Sequence, residues 1–194
     1  MSCGRISDDI LNDCALPIVG GTKARLILIN AEDLNEASYT YDMTNEEIIK
    51  TITMSSSPAV RAYEFEGIKN SNEASISLVP TPYSAYVNHQ ILFRIFKNVP
   101  EAKSQINQMI KGRFIAIVEN NYTGVDGNGS FELYGKIQGL EISELTRSSA
   151  DSDTQGAYVI TLSSPADQKE PSLPASIFDT SYAVTKAMVD SLLA

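Results

Sequence analysis

Two short runs carry apolar residues on both faces. Arg25 to Ile29 (RLILI) and Arg113 to Glu119 (RFIAIVE) are too short for buried helices and rich in β-branched residues. Both are predicted as inner strands covered on two sides. Ala74 to Val79 sets Ala74, Ile76 and Leu78 against Ser75, Ser77 and Val79, a strand with one wet face. Ile48 to Thr53, Val60 to Phe65, Val87 to Lys97 and Ala157 to Leu162 also read as strands. Phe131 to Ile142 (FELYGKIQGLEI) reads as one strand with bulges at Gly135 and Gly139, joined to RFIAIVE by the Asn-, Asp- and Gly-dense turn 120–130.

Helical spacing stands out in two places. Pro100 suits a first helical position, and Ala102, Ile106, Met109 and Ile110 recur along one side of residues 100–111, with Gly112 at the place of a C-cap. Ser181 to Leu193 predicts a closing helix whose apolar side holds Val184, Ala187, Met188, Val189, Leu192 and Leu193. About eight short strands, one internal helix and one terminal helix give a mainly β, α+β chain, an antiparallel β-sandwich or barrel with a packed helix. The expected organisation is an N-terminal arm (1–22), a β-rich core (23–163) holding helix 100–111, and an extended arm with C-terminal helix (164–194).

The chain has 194 residues, 43% of them hydrophobic and 20% charged, enough for one ordinary core without disulfides. Its net charge of −9 argues against a general basic surface for nucleic acid. The opening MSCGRISDDILNDC has one arginine followed by acids and does not resemble a signal peptide. No apolar run approaches the roughly 20 residues that cross a bilayer. The expectation is synthesis in a cytoplasm, with Cys3 and Cys14 as plain thiols. Asn121-Tyr122-Thr123 and Asn128-Gly129-Ser130 then mean only turn composition.

Candidate chemistry is sparse. No phosphate loop, dinucleotide fingerprint, nucleophile elbow or H-E-x-x-H helix occurs. His89 is the one histidine, so a triad or a Cys–His pair would have to use it, and a structural or surface role is the simpler reading. Asp151-Ser152-Asp153-Thr154-Gln155-Gly156 opens like a calcium loop, but Leu162 stands where its bidentate Glu belongs. Asp126-Gly127-Asn128 fails in the same way, because Phe131 occupies the glycine position. Glu141 and Glu144 could pair as acid and base, although a solvated edge suffices. No catalytic, metal-binding or cofactor-binding residue is assigned, the chain is not expected to be an enzyme, and no cofactor is expected. The nine tyrosines, with Tyr39/Tyr41 and Tyr83/Tyr86 as local pairs, could stack on sugars, pack in a core or anchor an interface.

The elements KNVPEAKSQINQMIKGRFIAIVENNYTG, FELYGKIQGLEI, LTRSSADSDTQGAYVITL and LPASIFDT, from Lys97 onward, resemble virion proteins of tailed bacteriophages infecting Bacteroidetes, including the crAss-like phages. The likeness is to the tail-tube or tail-ring class. Residues 1–70 share only its β-rich character. The resemblance implies a tail-tube-like fold and a structural subunit of the virion tail, made in the host bacterial cytoplasm. It further implies assembly into a hexameric or dodecameric ring, or a tube, beside other tail or portal proteins. DNA would pass through without specific binding, past an acidic or neutral lumen. Residues 1–22, the loop 35–58 and the segment 164–180 then read as assembly elements ordered by neighbouring copies, with Tyr39, Tyr41, Ile177 and Phe178 as oligomer-contact anchors. The alternatives are a β-sandwich module binding glycan or another partner and, more remotely, a hydrolase using His89 or a carboxylate pair.

Overall fold

The computed structural model describes residues 19–194 except 56, 58, 59, 70 and 83. Cys3, Cys14, most of the predicted N-terminal arm and Tyr83 therefore lie outside the described residues. Among those described there are eleven strands and two α-helices. The strands are β1 (Thr22–Asn30), β2 (Tyr39–Tyr41), β3 (Ile48–Ile52), β4 (Tyr63–Glu66), β5 (Glu73–Pro80), β6 (Ala85–Ile95), β7 (Phe114–Asn120), β8 (Phe131–Tyr134), β9 (Glu141–Thr146), β10 (Tyr158–Ser163) and β11 (Ala175–Ile177). Helix α1 is Pro100–Met109 and α2 is Tyr182–Ser191. They form two open sheets, a seven-stranded one in the order β2-β3-β11-β8-β7-β1-β4 and a four-stranded one in the order β5-β6-β10-β9. Every pairing is antiparallel except β3 with β11. The mainly β, α+β expectation holds.

The two-sided runs explain the layering. In β1 and β7, Leu26, Leu28, Phe114, Ala116 and Val118 face the four-stranded sheet, where Ile91, Phe93, Ile160 and Leu162 meet them. Ile27, Ile29, Ile115 and Ile117 point the other way, joining Phe131, Leu133, Ile177 and, from α2, Val189 and Leu192. The large sheet is thus buried on both faces, which is why its central strands lack alternation.

Helix α1 closes one end of the inter-sheet layer through Ile106 and Met109. Ile110, placed by its spacing on the buried side, is 51% exposed, because the helix ends at Met109 and the chain turns away before a further turn forms. Gly112 is not a left-handed C-cap either. It is needed for closeness, since a Cβ there would come within 2.5 Å of the Phe114 ring. Ile106→Ala should cost about 2–5 kcal/mol and Gln105→Ala under about 0.5 kcal/mol, read from urea unfolding midpoints. Equal losses would mean that the helix packs on another face. In α2 the Ser181 hydroxyl accepts from the Val184 amide, and the buried side runs through Thr185, Val189 and Leu192, leaving Val184 exposed.

Three expectations are corrected. FELYGKIQGLEI is not one strand. Gly135 (φ +73°) and Gly139 (φ +72°) bracket a turn that takes the chain from β8 in one sheet to β9 in the other. Only glycine adopts that pair of left-handed conformations without strain. The segment 164–180 is not an arm awaiting a neighbour, since β11 lies inside the seven-stranded sheet, between β3 and β8. Loop 35–58 likewise carries the β2–β3 hairpin of the same sheet.

Candidate functional site

Of the four residues expected at oligomer contacts, two are buried in this chain's own core. Tyr39 is 7% exposed and Ile177 fully buried, both in the layer under α2. Their physical role is to seal the β2-β3-β11 side of the sheet. Tyr41 and Phe178 are half-buried. The Tyr41 hydroxyl donates to Glu36 (2.6 Å), the Lys136 ammonium lies 5.0 Å from its ring centroid, and the Phe178 amide donates to the Ile49 carbonyl (2.9 Å).

Exposed apolar surface gathers instead on the β5–β6 hairpin. In its register Ala74 stands opposite Ile91, Ile76 opposite His89, and Leu78 opposite Val87. Opposed residues share a face, so all of these lie on the core side of the four-stranded sheet. Ile91 and His89 are buried, but Ile76 is 47% and Leu78 68% exposed. The hairpin therefore carries the apolar face of its sheet past the end of the sheet that covers it. Tyr86 is exposed on the same hairpin. Strand β5 is one edge of this sheet, with Glu73 its only charged residue. The other edge, β9, is exposed from Ser143 to Thr146 and includes Leu145. Among the described residues neither edge has a further strand beside it, and such edges are templates for further strands.

The remaining candidates are occupied within the chain. His89 is buried, its Nδ1 accepts from the Gly135 amide (3.1 Å), its Nε2 lies 3.0 Å from the Ser172 carbonyl, and Tyr134 meets its ring edge-on at 5.5 Å. Burial pushes its pKa below the ordinary value, against the opposing pull of the Ser172 bond and of Glu132. Asp151 accepts from the Asp153 amide (2.9 Å) and the Thr154 hydroxyl (2.8 Å), a capped turn that holds its carboxyl below the usual range. Glu141 pairs with Arg113 (2.7 Å) and not with Glu144. Among the described residues no three His, Cys, Asp or Glu side chains gather as a metal site. Of the described tyrosines, Tyr182 stacks on Phe131 with centroids 5.8 Å apart, and the Arg147 guanidinium lies over Tyr158. Tyr86 and Tyr122 are exposed on different elements.

A groove of about 690 Å³ runs between β4 and α1, lined by Arg61, Tyr63, Phe65, Gln105, Met109 and Lys111 among others. Its polar groups carry both charge signs and converge on no single ligand chemistry.

The sequence reading missed Glu170. It is buried, and its carboxylate accepts from the amides of Gln138 (2.8 Å) and Ile137 (3.3 Å) in the turn that joins the sheets. Desolvation raises its pKa, with these amides and Lys136 opposing. Nothing in QKEPS marks that glutamate as internal.

No helix among the described residues is long and apolar enough to cross a membrane. Comparison with family models, with curated proteins and with solved structures finds no match to this chain.

Proposed function

We propose that the chain is a structural subunit of a phage tail that assembles with copies of itself into a ring or tube on the DNA-ejection path. The observation that carries this reading is the β5–β6 hairpin with its bare apolar overhang at Ile76 and Leu78. A monomer gains nothing from such a surface, whereas a neighbouring copy would bury it. The two edge strands of the small sheet, β5 and β9, belong to different patches, so a contact between them is head-to-tail and closes into a ring when the rotation allows. The resemblance carried by Lys97 to Thr180 points to the same class. A charge of −9 repeated around a ring suits a wall past which DNA slides without being gripped.

Native mass spectrometry of wild type and Leu78→Asp tests the reading. Leu78 is mostly exposed, so the substitution should leave thermal unfolding of the subunit almost unchanged. Wild type should show a closed oligomer and the variant a monomer. A wild type that stays monomeric at high concentration and binds polysaccharide would replace the tail reading with the glycan-binding one.

A further inference from the structure

We propose that the groove between β4 and α1 is the seat of this chain's own N-terminal segment, residues 1–18, which adds to the edge of β4 as an extended strand. Strand β4 ends the seven-stranded sheet, and among the described residues no strand lies on its outer side. Its register with β1, together with the Gly67 amide that donates to the Ala24 carbonyl (2.7 Å), fixes which way its backbone faces. Backbone groups alternate sides along a strand. Those of Tyr63 and Phe65 therefore turn to β1, and those of Glu64 and Glu66 turn to the groove.

The opposite wall is α1, which presents the side-chain amides of Gln105 and Gln108. Past Glu64, Phe65 and Gln105 the groove continues into a second hollow of about 550 Å³, which reaches Gly67 and Ile68. The apolar lining is Leu28 and Met109 at one end and Phe65, Ile95, Phe96 and Ala102 at the other, where Ile68 is 53% exposed. A strand edge beside an apolar trough, with a helix as the far wall, takes an extended peptide. The ladder supplies main-chain hydrogen bonds, and alternate side chains enter the trough.

Place, pattern and charge name the peptide. Strand β1 begins at the Ile68 end of the groove, where the Thr22 hydroxyl donates to the Asn72 carbonyl (2.9 Å) and Gly67 meets Ala24. Neighbouring strands lie about 4.8 Å apart, so passing over β1 and β4 takes about 10 Å, and residues 17–21 span up to about 17 Å. Pro17, with no N–H to give, ends the ladder there. The segment then runs parallel to β4 and leaves at Ile68. Alternation in residues 10–16 (ILNDCAL) sets Ile10, Cys14 and Leu16, with Asn12 between them, toward the lining and Asp13 toward solvent. Residues 14–22 carry no charge and fall at the apolar end, where Lys97 balances Glu66. Asp8, Asp9 and Asp13, with Arg5 before them, fall toward the end lined by Arg61 and Lys111. Of the acids lining that end, Glu64 is ion-paired with Arg25 (3.1 Å), so the two cations stand against Glu32. Running the segment the other way would lose both matches. The seat belongs to a single chain and is independent of the tail reading.

Amide hydrogen exchange of the full chain tests this through the two sides of β4. The Glu64 and Glu66 amides, which face the segment, should be protected along with that of Phe65, which faces β1. In full-length Leu16→Asp, Glu64 and Glu66 should exchange faster by about tenfold or more, while an unchanged Phe65 shows the sheet intact. A nitroxide attached through Asp13→Cys, with Cys3→Ser and Cys14→Ser, should broaden the amide signals of Glu64, Glu66 and Gln105 in its own chain. Those signals should stay sharp in isotope-enriched copies that lack the nitroxide when they are mixed with unenriched copies that carry it. Rapid exchange at Glu64 and Glu66 in the wild type, protection indifferent to Leu16→Asp, or broadening only between copies would each overturn the proposal.

Discussion

A chain ending at Ser163 will not fold. The cut removes β11, the strand that joins β3 to β8, so the β2–β3 hairpin loses its place in the seven-stranded sheet. It also removes α2, which covers the second face of β1, β7 and β8. Ile177, Val189 and Leu192 are all buried there, and losing those three alone withdraws about 5–9 kcal/mol of apolar burial. A domain of this size is stable by about 5–15 kcal/mol in total. The truncation also strips Tyr182 from Glu119, leaving a buried carboxylate with Lys23 as its remaining partner, and takes Asp190 from Arg25. Circular dichroism and amide NMR spectra of residues 1–163 should show a chain without fixed tertiary packing. A cooperative unfolding transition in that fragment would mean that β11 and α2 are accessories after all.

The pattern that made 164–180 look like an arm shows where sequence reading stops. RLILI and RFIAIVE were legible because a strand covered on both faces needs apolar residues at every position, and that demand is local. Helix α1 was legible for the same reason, through the spacing of Ile106 and Met109. The place of β11 is not local. Three residues between prolines and polar turns become an inner strand only because Leu133 and Ile49 present ladders on either side of them. The break in FELYGKIQGLEI depends on two glycine conformations that composition does not distinguish from bulges. The candidate surface was half legible. Alternation put Ile76 and Leu78 on one face of a strand, but their exposure is set by where the opposite sheet ends. His89 and Glu170 were illegible, since their partners Gly135, Ser172 and Gln138 are 46, 83 and 32 positions away.

Gly127 should tolerate alanine far less well than Gly156 or Gly20. It sits in the 120–130 turn with φ +98°, where a side chain is strained by about 1–3 kcal/mol whatever the space around it. The space is also taken. A Cβ would lie 2.6 Å from the Tyr182 Cβ and 2.9 Å from its backbone nitrogen and Cα. Tyr182 has little freedom to retreat, because its amide donates to Asp126 (2.9 Å), its hydroxyl to Glu119 (2.7 Å), and its ring stacks on Phe131. Overpacking of this kind adds about 1–3 kcal/mol, so Gly127→Ala should cost about 2–6 kcal/mol. Two neighbours in kind separate the contributions. Gly156 has φ +71° with no atom closer than 3.6 Å, so Gly156→Ala should show strain alone, about 1–2 kcal/mol. Gly20 has neither constraint, and Gly20→Ala should change stability by under about 0.5 kcal/mol. Urea unfolding of the three variants should rank them in that order. If Gly127→Ala costs no more than Gly156→Ala, the first turn of α2 yields to the turn, and Tyr182 is not the fixed post between the two that its hydrogen bonds describe.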